Sequence, residues 1–124
     1  IKPGKNYQIF EVNPYLRIIE PEIFISERKV VAKFKLEQVT SNEVYRISLF
    51  AHSHIDVSNK LNIVNRTEEL NRSITDGESF ELSINLDDYT STLVPGKSYY
   101  FRIGAQSHGN ETKYNYSASV KLDI

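Results

Sequence analysis

Three histidines are the first residues whose spacing could carry chemistry. His52 and His54 lie two apart, so on a strand they face the same way. Such a pair binds zinc only if a third ligand converges on it. His108, the one other histidine, follows a different apolar run. If 44–52 and 98–106 are antiparallel strands, His52 and His108 sit at opposite poles, about 25 Å apart. No metal site is expected from them. The adjacent pairs Glu68-Glu69 and Asp87-Asp88 point to opposite faces of an extended chain. A glycosidase needs two carboxylates across a cleft, which neither pair supplies. Asp87, Asp88 and a carbonyl could still hold calcium, although the spacing lacks a known calcium-loop pattern. The chain has no cysteine, which removes thiol catalysis and zinc ribbons. It also has no Gly-x-Ser-x-Gly, phosphate-cradling glycine loop or His-Glu-x-x-His. A non-catalytic protein without cofactors is expected.

The more informative residues are aromatic and cationic. Within 44–52 the alternation Tyr45, Ile47, Leu49, Ala51 reads as an inner phase, leaving Arg46, Ser48, Phe50 and His52 outside. Within 98–106, Tyr100, Arg102 and Gln106 take the outer phase. Antiparallel pairing of the two runs is expected to set Phe50 beside Tyr100 and Arg102 near Ser48. Aromatic rings flanked by guanidinium donors suit a sugar. The apolar face of a pyranose stacks on a ring, and its hydroxyls take hydrogen bonds. The candidate glycan-binding set is therefore Arg46, Phe50, Tyr100 and Arg102. The same residues would equally form a cross-strand pair that stiffens the sheet, or a patch covered by another domain. Tyr114 and Tyr116 fall on the core phase of 114–122 and are expected to cap one end of the core.

The elements that must position these residues are strands. The 124 residues suit one domain, and apolar stretches rich in Val, Ile, Thr, Tyr and Phe favour sheet. Period-two alternation runs through 15–20, 23–25, 29–38, 44–52, 79–86, 98–106 and 114–122. Pro21 within the first run marks an edge strand. Residues 53–78 are least regular, with a short strand expected at 61–64 and a helical turn at 67–70 capped by Thr67. The expected fold is all-β, a seven-stranded Greek-key sandwich. Residues 1–12 read as a trailing strand or linker from a missing N-terminal domain, and 13–124 as the sandwich domain. With net charge −1 and interspersed signs, no nucleic-acid partner is expected. No apolar run reaches the roughly 18 residues of a membrane span.

Two resemblances rest on particular segments. Leu93, Pro95-Gly96 and Tyr99, followed by Phe101, Ile103 and Ala105, resemble the tyrosine corner of fibronectin type III and immunoglobulin-like domains. The tryptophan usual on the second strand is absent, and Phe34 or Leu36 must fill its space. The segments 12–18, 33–36, 95–105 and 114–117 resemble the C-terminal domain of Bacteroidetes lipoproteins from polysaccharide-utilisation loci. That resemblance implies a cell-envelope location, on the outer-membrane surface or facing the periplasm. It implies attachment through a lipid anchor outside this chain, and partners among polysaccharides, oligosaccharides or outer-membrane glycan-transport proteins. It leaves two roles open: carbohydrate binding, or a structural spacer and protein-interaction domain.

Overall fold

A computed structural model describes residues 16–38, 43–108 and 114–124. The expected linker at 1–12 lies outside them. Eight strands are formed among the described residues: β1 (Leu16–Ser26), β2 (Lys29–Gln38), β3 (Val44–His52), β4 (Val64–Arg72), β5 (Glu78–Asn85), β6 (Ser98–Ser107), β7 (Asn115–Tyr116) and β8 (Val120–Asp123). One sheet has the order β1-β2-β5. The other runs β4-β3-β6-β7, with β8 also on β6. All pairings are antiparallel. The chain changes sheet after β2, β4 and β5, giving the Greek-key sandwich expected from the alternating runs.

Alternation fixes which side of each sheet is buried. Val30, Ala32, Phe34 and Leu36 from β2, and Leu82 and Ile84 from β5, meet Ile47, Leu49 and Ala51 from β3 and Phe101, Ile103 and Ala105 from β6. Phe34 stacks on Phe80 at 5.9 Å between ring centroids, and Phe34 and Leu36 are both buried. At about 1.5–3 kcal/mol for each buried large side chain, this shared core is the main source of stability. At the corner leading into β6, Gly96 adopts φ +87°, a conformation that a side chain would strain. The Val94 N–H donates to Tyr99 Oη at 2.9 Å, while Leu93 and the Tyr99 ring are buried.

Three local departures from simple alternation matter. In β1, Ile19 pairs with Lys35 and Glu22 with Lys33, so Glu20 and Pro21 bulge opposite Phe34. Glu20 takes φ 52°, and Pro21 lacks an N–H to pair; an edge strand tolerates both. In β3, a second bulge between Val44 and Arg46 changes the expected phase. Val44 enters the core, and Tyr45 leaves it to join Arg46 on the outer face. The expected last strand is split. β7 ends at Tyr116, and Ser117 then bridges to β6 through both its backbone and its side chain. The Ile103 N–H donates to Ser117 Oγ at 3.1 Å, and the Ser117 N–H returns to Ile103 O at 3.0 Å.

The helical turn expected at 67–70 is strand instead. Residues 64–72 pair along the free edge of β3, and those backbone bonds override the local helix preference of Glu and Leu. Exposed Arg66, Glu68 and Glu69 make this edge unattractive to further strands.

Candidate functional site

The outer face of the five-stranded sheet carries a continuous row of rings and guanidinium groups. It begins at His108, whose ring lies 4.7 Å from that of Tyr45. The Arg46 guanidinium sits 4.6 Å over Tyr45 and 5.9 Å from Tyr114. Tyr114 stacks on Tyr116 with centroids 5.7 Å apart and planes 21° from parallel. Arg102 closes the row, 4.7 Å over Tyr116. Cation–π distances of this order are attractive, most so where water is partly excluded.

The backbone explains this convergence. Strand pairing puts Arg46 opposite Gln106, Phe50 opposite Arg102 and Gly104 opposite Tyr116, and directly opposed residues share a face. The β3 bulge adds Tyr45. Beneath the row lies Phe50, 3% exposed and set apart from the main core. It meets Tyr114 edge-on at 5.6 Å and Tyr116 at 6.3 Å. Gly104 makes room for this cluster. A Cβ there would stand 2.8 Å from Phe50 Cε2 and 3.0 Å from Tyr114 Cδ2, too close for any side chain without displacing the rings.

The two ends of the row differ. Arg102 donates from Nε to Ser117 O at 2.7 Å and from Nη1 to Val57 O at 3.3 Å. Tyr116 Oη donates to Asn59 Oδ1 at 2.8 Å and accepts from the Asn59 N–H at 3.2 Å. The 53–63 loop is thus tied back over this end, with Val57 fully buried. Loop turns are closed by Ser58 and by the Asn62 side chain. At the other end, Arg46 Nε donates to Gln106 Oε1 at 2.8 Å. Its two terminal nitrogens have no hydrogen-bond partner among the described residues, and neither do the Tyr45 and Tyr114 hydroxyls.

The sequence-selected residues divide accordingly. Arg46 and Arg102 lie on the face as expected. Phe50 lies there too, but as its buried floor. Phe50 stands opposite Arg102, and Tyr100 stands opposite His52, two residues away from the expected register. Ser48 likewise meets Gly104, not Arg102, and the whole run from Arg46 to His52 keeps this register. Tyr100 consequently lies outside the row. Tyr114 and Tyr116, expected to cap the core, stand on the opposite side of the sheet from it. The Tyr-x-Tyr spacing did place both on one face, and an isolated glycine in a strand signals a close approach; choosing the face needed the register.

The other candidate groups have local roles. His52 Nδ1 accepts from the His54 N–H and His54 Nδ1 from the Asp56 N–H, both at 3.1 Å. The pair caps a turn, and His108 is held near the far end of β3 by its N–H donating to Glu43 O at 2.9 Å. Asp87 accepts from Arg28 Nε at 2.6 Å, and that bond holds the Arg28 guanidinium above its ordinary pKa. Among the described residues no three His, Asp or Glu side chains gather in a metal-binding arrangement.

Relatives of known structure share this architecture. A proposed carbohydrate-binding protein from Bacteroides uniformis matches with a TM-score of 0.84 and 27% identity, over 98% of this chain and 62% of that one. A DUF3823 family protein from Parabacteroides merdae matches at 0.78 and 20% identity, over 99% and 59%. Another from Bacteroides ovatus matches at 0.75 and 18%, over 97% and 60%. The chain therefore spans less than two thirds of the length of each. No curated protein matches the sequence. Residues 16–121 match the family model described as a domain of unknown function, DUF3823_C, and since that match covers most of the chain, the protein belongs to the DUF3823_C family.

Proposed function

We propose that this domain is a non-catalytic carbohydrate-binding module, and that it uses the open end of the aromatic–guanidinium row. The observation that carries this reading is the state of Tyr45, Arg46 and Tyr114: ring faces and hydrogen-bond donors lie together, and among the described residues nothing takes up their polar ends. A pyranose has the complementary form, with an apolar C–H face and a rim of hydroxyls. The 27%-identical Bacteroides uniformis protein, itself proposed to bind carbohydrate, supports the same class of ligand. The wider setting is a glycan-uptake lipoprotein of the cell envelope, anchored outside this chain and working beside outer-membrane transport proteins. Fractionation of cells producing the full-length protein tests that setting, and recovery in the cytosol overturns it.

Binding is tested by titrating the domain with a panel of plant, host-mucin and microbial polysaccharides, alongside Tyr114→Ala. Stacking of one ring contributes about 1 kcal/mol, so the variant should bind several-fold more weakly while keeping the parent melting temperature within a few degrees. A folded domain that binds none of the panel would defeat the proposal. The second reading, a spacer that contacts a protein, draws on one observation. The 53–63 loop exposes Ile55 (54%), Leu61 and Ile63, and clustered exposed aliphatics favour protein contacts. Replacing these three by Ser should weaken co-purification with transport proteins and leave glycan binding unchanged.

A further inference from the structure

We infer that the sugar taken at this face is an acidic one, its carboxylate held by Arg46 and its ring face laid on Tyr114. The inference rests on the carbohydrate-binding reading above and specifies its ligand. Three observations carry it.

First, the Arg46 guanidinium is oriented before any ligand arrives. It lies over Tyr45 and Tyr114, and its Nε is tied to Gln106 Oε1. What remains is the edge bearing Nη1 and Nη2, whose parallel N–H groups match the two oxygens of a carboxylate. Little rotamer freedom is left to lose on binding.

Second, a protein carboxylate is available and is not taken. Glu69 stands directly opposite Arg46 on β4 and is exposed. Yet Arg46 makes no ion pair with it; among the described residues its contacts are Gln106, Tyr45 and Tyr114. The fork is held against the aromatic row, and no described residue engages its terminal nitrogens.

Third, Arg102 is the internal contrast. It has the same aromatic packing, but Ser117 O and Val57 O engage its Nε and Nη1, so it organises the loop. A half-buried guanidinium without such acceptors is incompletely solvated. A ligand anion restores what the protein withholds. A neutral sugar would be met as well by an amide side chain and gives no reason for a cation here.

Calorimetric titration tests this with two matched pairs: tetragalacturonate against the same oligosaccharide after carboxyl reduction, and 3′-sialyllactose against lactose. A carrageenan oligosaccharide, sulfated but free of carboxylates, separates sulfate from carboxylate recognition. At least one acidic member should bind roughly tenfold or more tighter than its neutral counterpart, as charge-assisted hydrogen bonds imply. Arg46→Gln should remove that preference without lowering the melting temperature by more than a few degrees. Arg46→Lys should restore only part of it, because an ammonium lacks the fork. Glu69→Gln should strengthen acidic binding by about twofold, by removing a nearby like charge. Equal affinity for acidic and neutral partners, unmoved by Arg46→Gln, would overturn the acidic assignment and leave carbohydrate binding intact. Binding of the sulfated oligosaccharide with none of the carboxylated ones would overturn it too. No binding of any glycan would remove both readings.

Discussion

At one end of the row Arg102 and Tyr116 pack ring against guanidinium, as Tyr45 and Arg46 do at the other, with cation–ring distances of 4.7 and 4.6 Å. The polar atoms of the first pair are spent on Ser117, Val57 and Asn59. Those of the second are mostly unspent among the described residues. Similar residue types therefore do different work on one face of one sheet. A side chain whose hydrogen bonds end on backbone oxygens fixes a loop. A side chain held by stacking and one side-chain bond, with its remaining donors outward, is arranged for something outside the chain. The distinction predicts that substitutions at the closed end cost stability and those at the open end cost binding.

The largest effect should come from the floor beneath both ends. Phe50→Ala removes a buried ring and leaves a cavity under Tyr114 and Tyr116, which should cost about 3–5 kcal/mol in a denaturant titration. If Phe50→Ala loses less than about 1 kcal/mol, Phe50 does not support the two tyrosines, and the row has no common base. Next is Arg102→Ala. Two charge-assisted bonds to carbonyls disappear and Val57 O loses its donor, for an expected loss of about 2–3 kcal/mol. Hydrogen exchange should then accelerate across 53–63 before it does so in β3 or β6.

Arg46→Ala should be milder, at about 1 kcal/mol or less, because it gives up one side-chain bond and two cation–ring contacts at a half-exposed site. The ratio of the two arginine substitutions sharpens the comparison better than either value alone. Equal losses would mean that Arg46 is structural and would withdraw the distinction between the two ends.

How much of this face can be read from sequence depends on the register of β3 against β6 and on two local breaks, at Tyr45 and after Tyr116. Alternation locates β2, β3, β5 and β6, because one buried face imposes period two on each of them. It identifies Arg46, Phe50 and Arg102 as outward for the same reason. It fails at β4, whose residues 65–72 bury little and so leave no periodic trace; only the free edge of β3 makes them a strand. It also fails on partners across the sheet. One extra residue in β3 changes the phase of Tyr45, and independently the register of the run 46–52 sets Phe50 opposite Arg102 in place of Tyr100. A bulge leaves no composition signal of its own, which hides the position of Tyr45; the break between β7 and β8 hides that of Tyr114 and Tyr116. Phe50 shows a further limit: outward from the core does not mean exposed, since two tyrosine rings pack on it.

The smallest effect separates two events that both occur in acid. Arg72 and Glu78, at the β4–β5 corner, form a two-pronged pair at 3.2 and 2.5 Å. With the Thr75 N–H as a further donor, that pair holds the Glu78 carboxyl below its ordinary value of 4.5. A carboxyl with a lowered folded-state pKa contributes stability above its unfolded value, and that contribution fades as pH falls through the folded value. The pair is exposed, so the effect on melting temperature should be slight and weaker in high salt. In Glu78→Gln this component of the acid-side decline in melting temperature should be missing, with glycan affinity unchanged at every pH. Affinity for an acidic sugar should fall only as the sugar's own carboxylate is protonated. Measuring melting temperature and affinity together between pH 3 and pH 7 resolves the two. If affinity follows the Glu78→Gln change, the corner and the face are coupled, and the open end is not the independent surface that its hydrogen bonds describe.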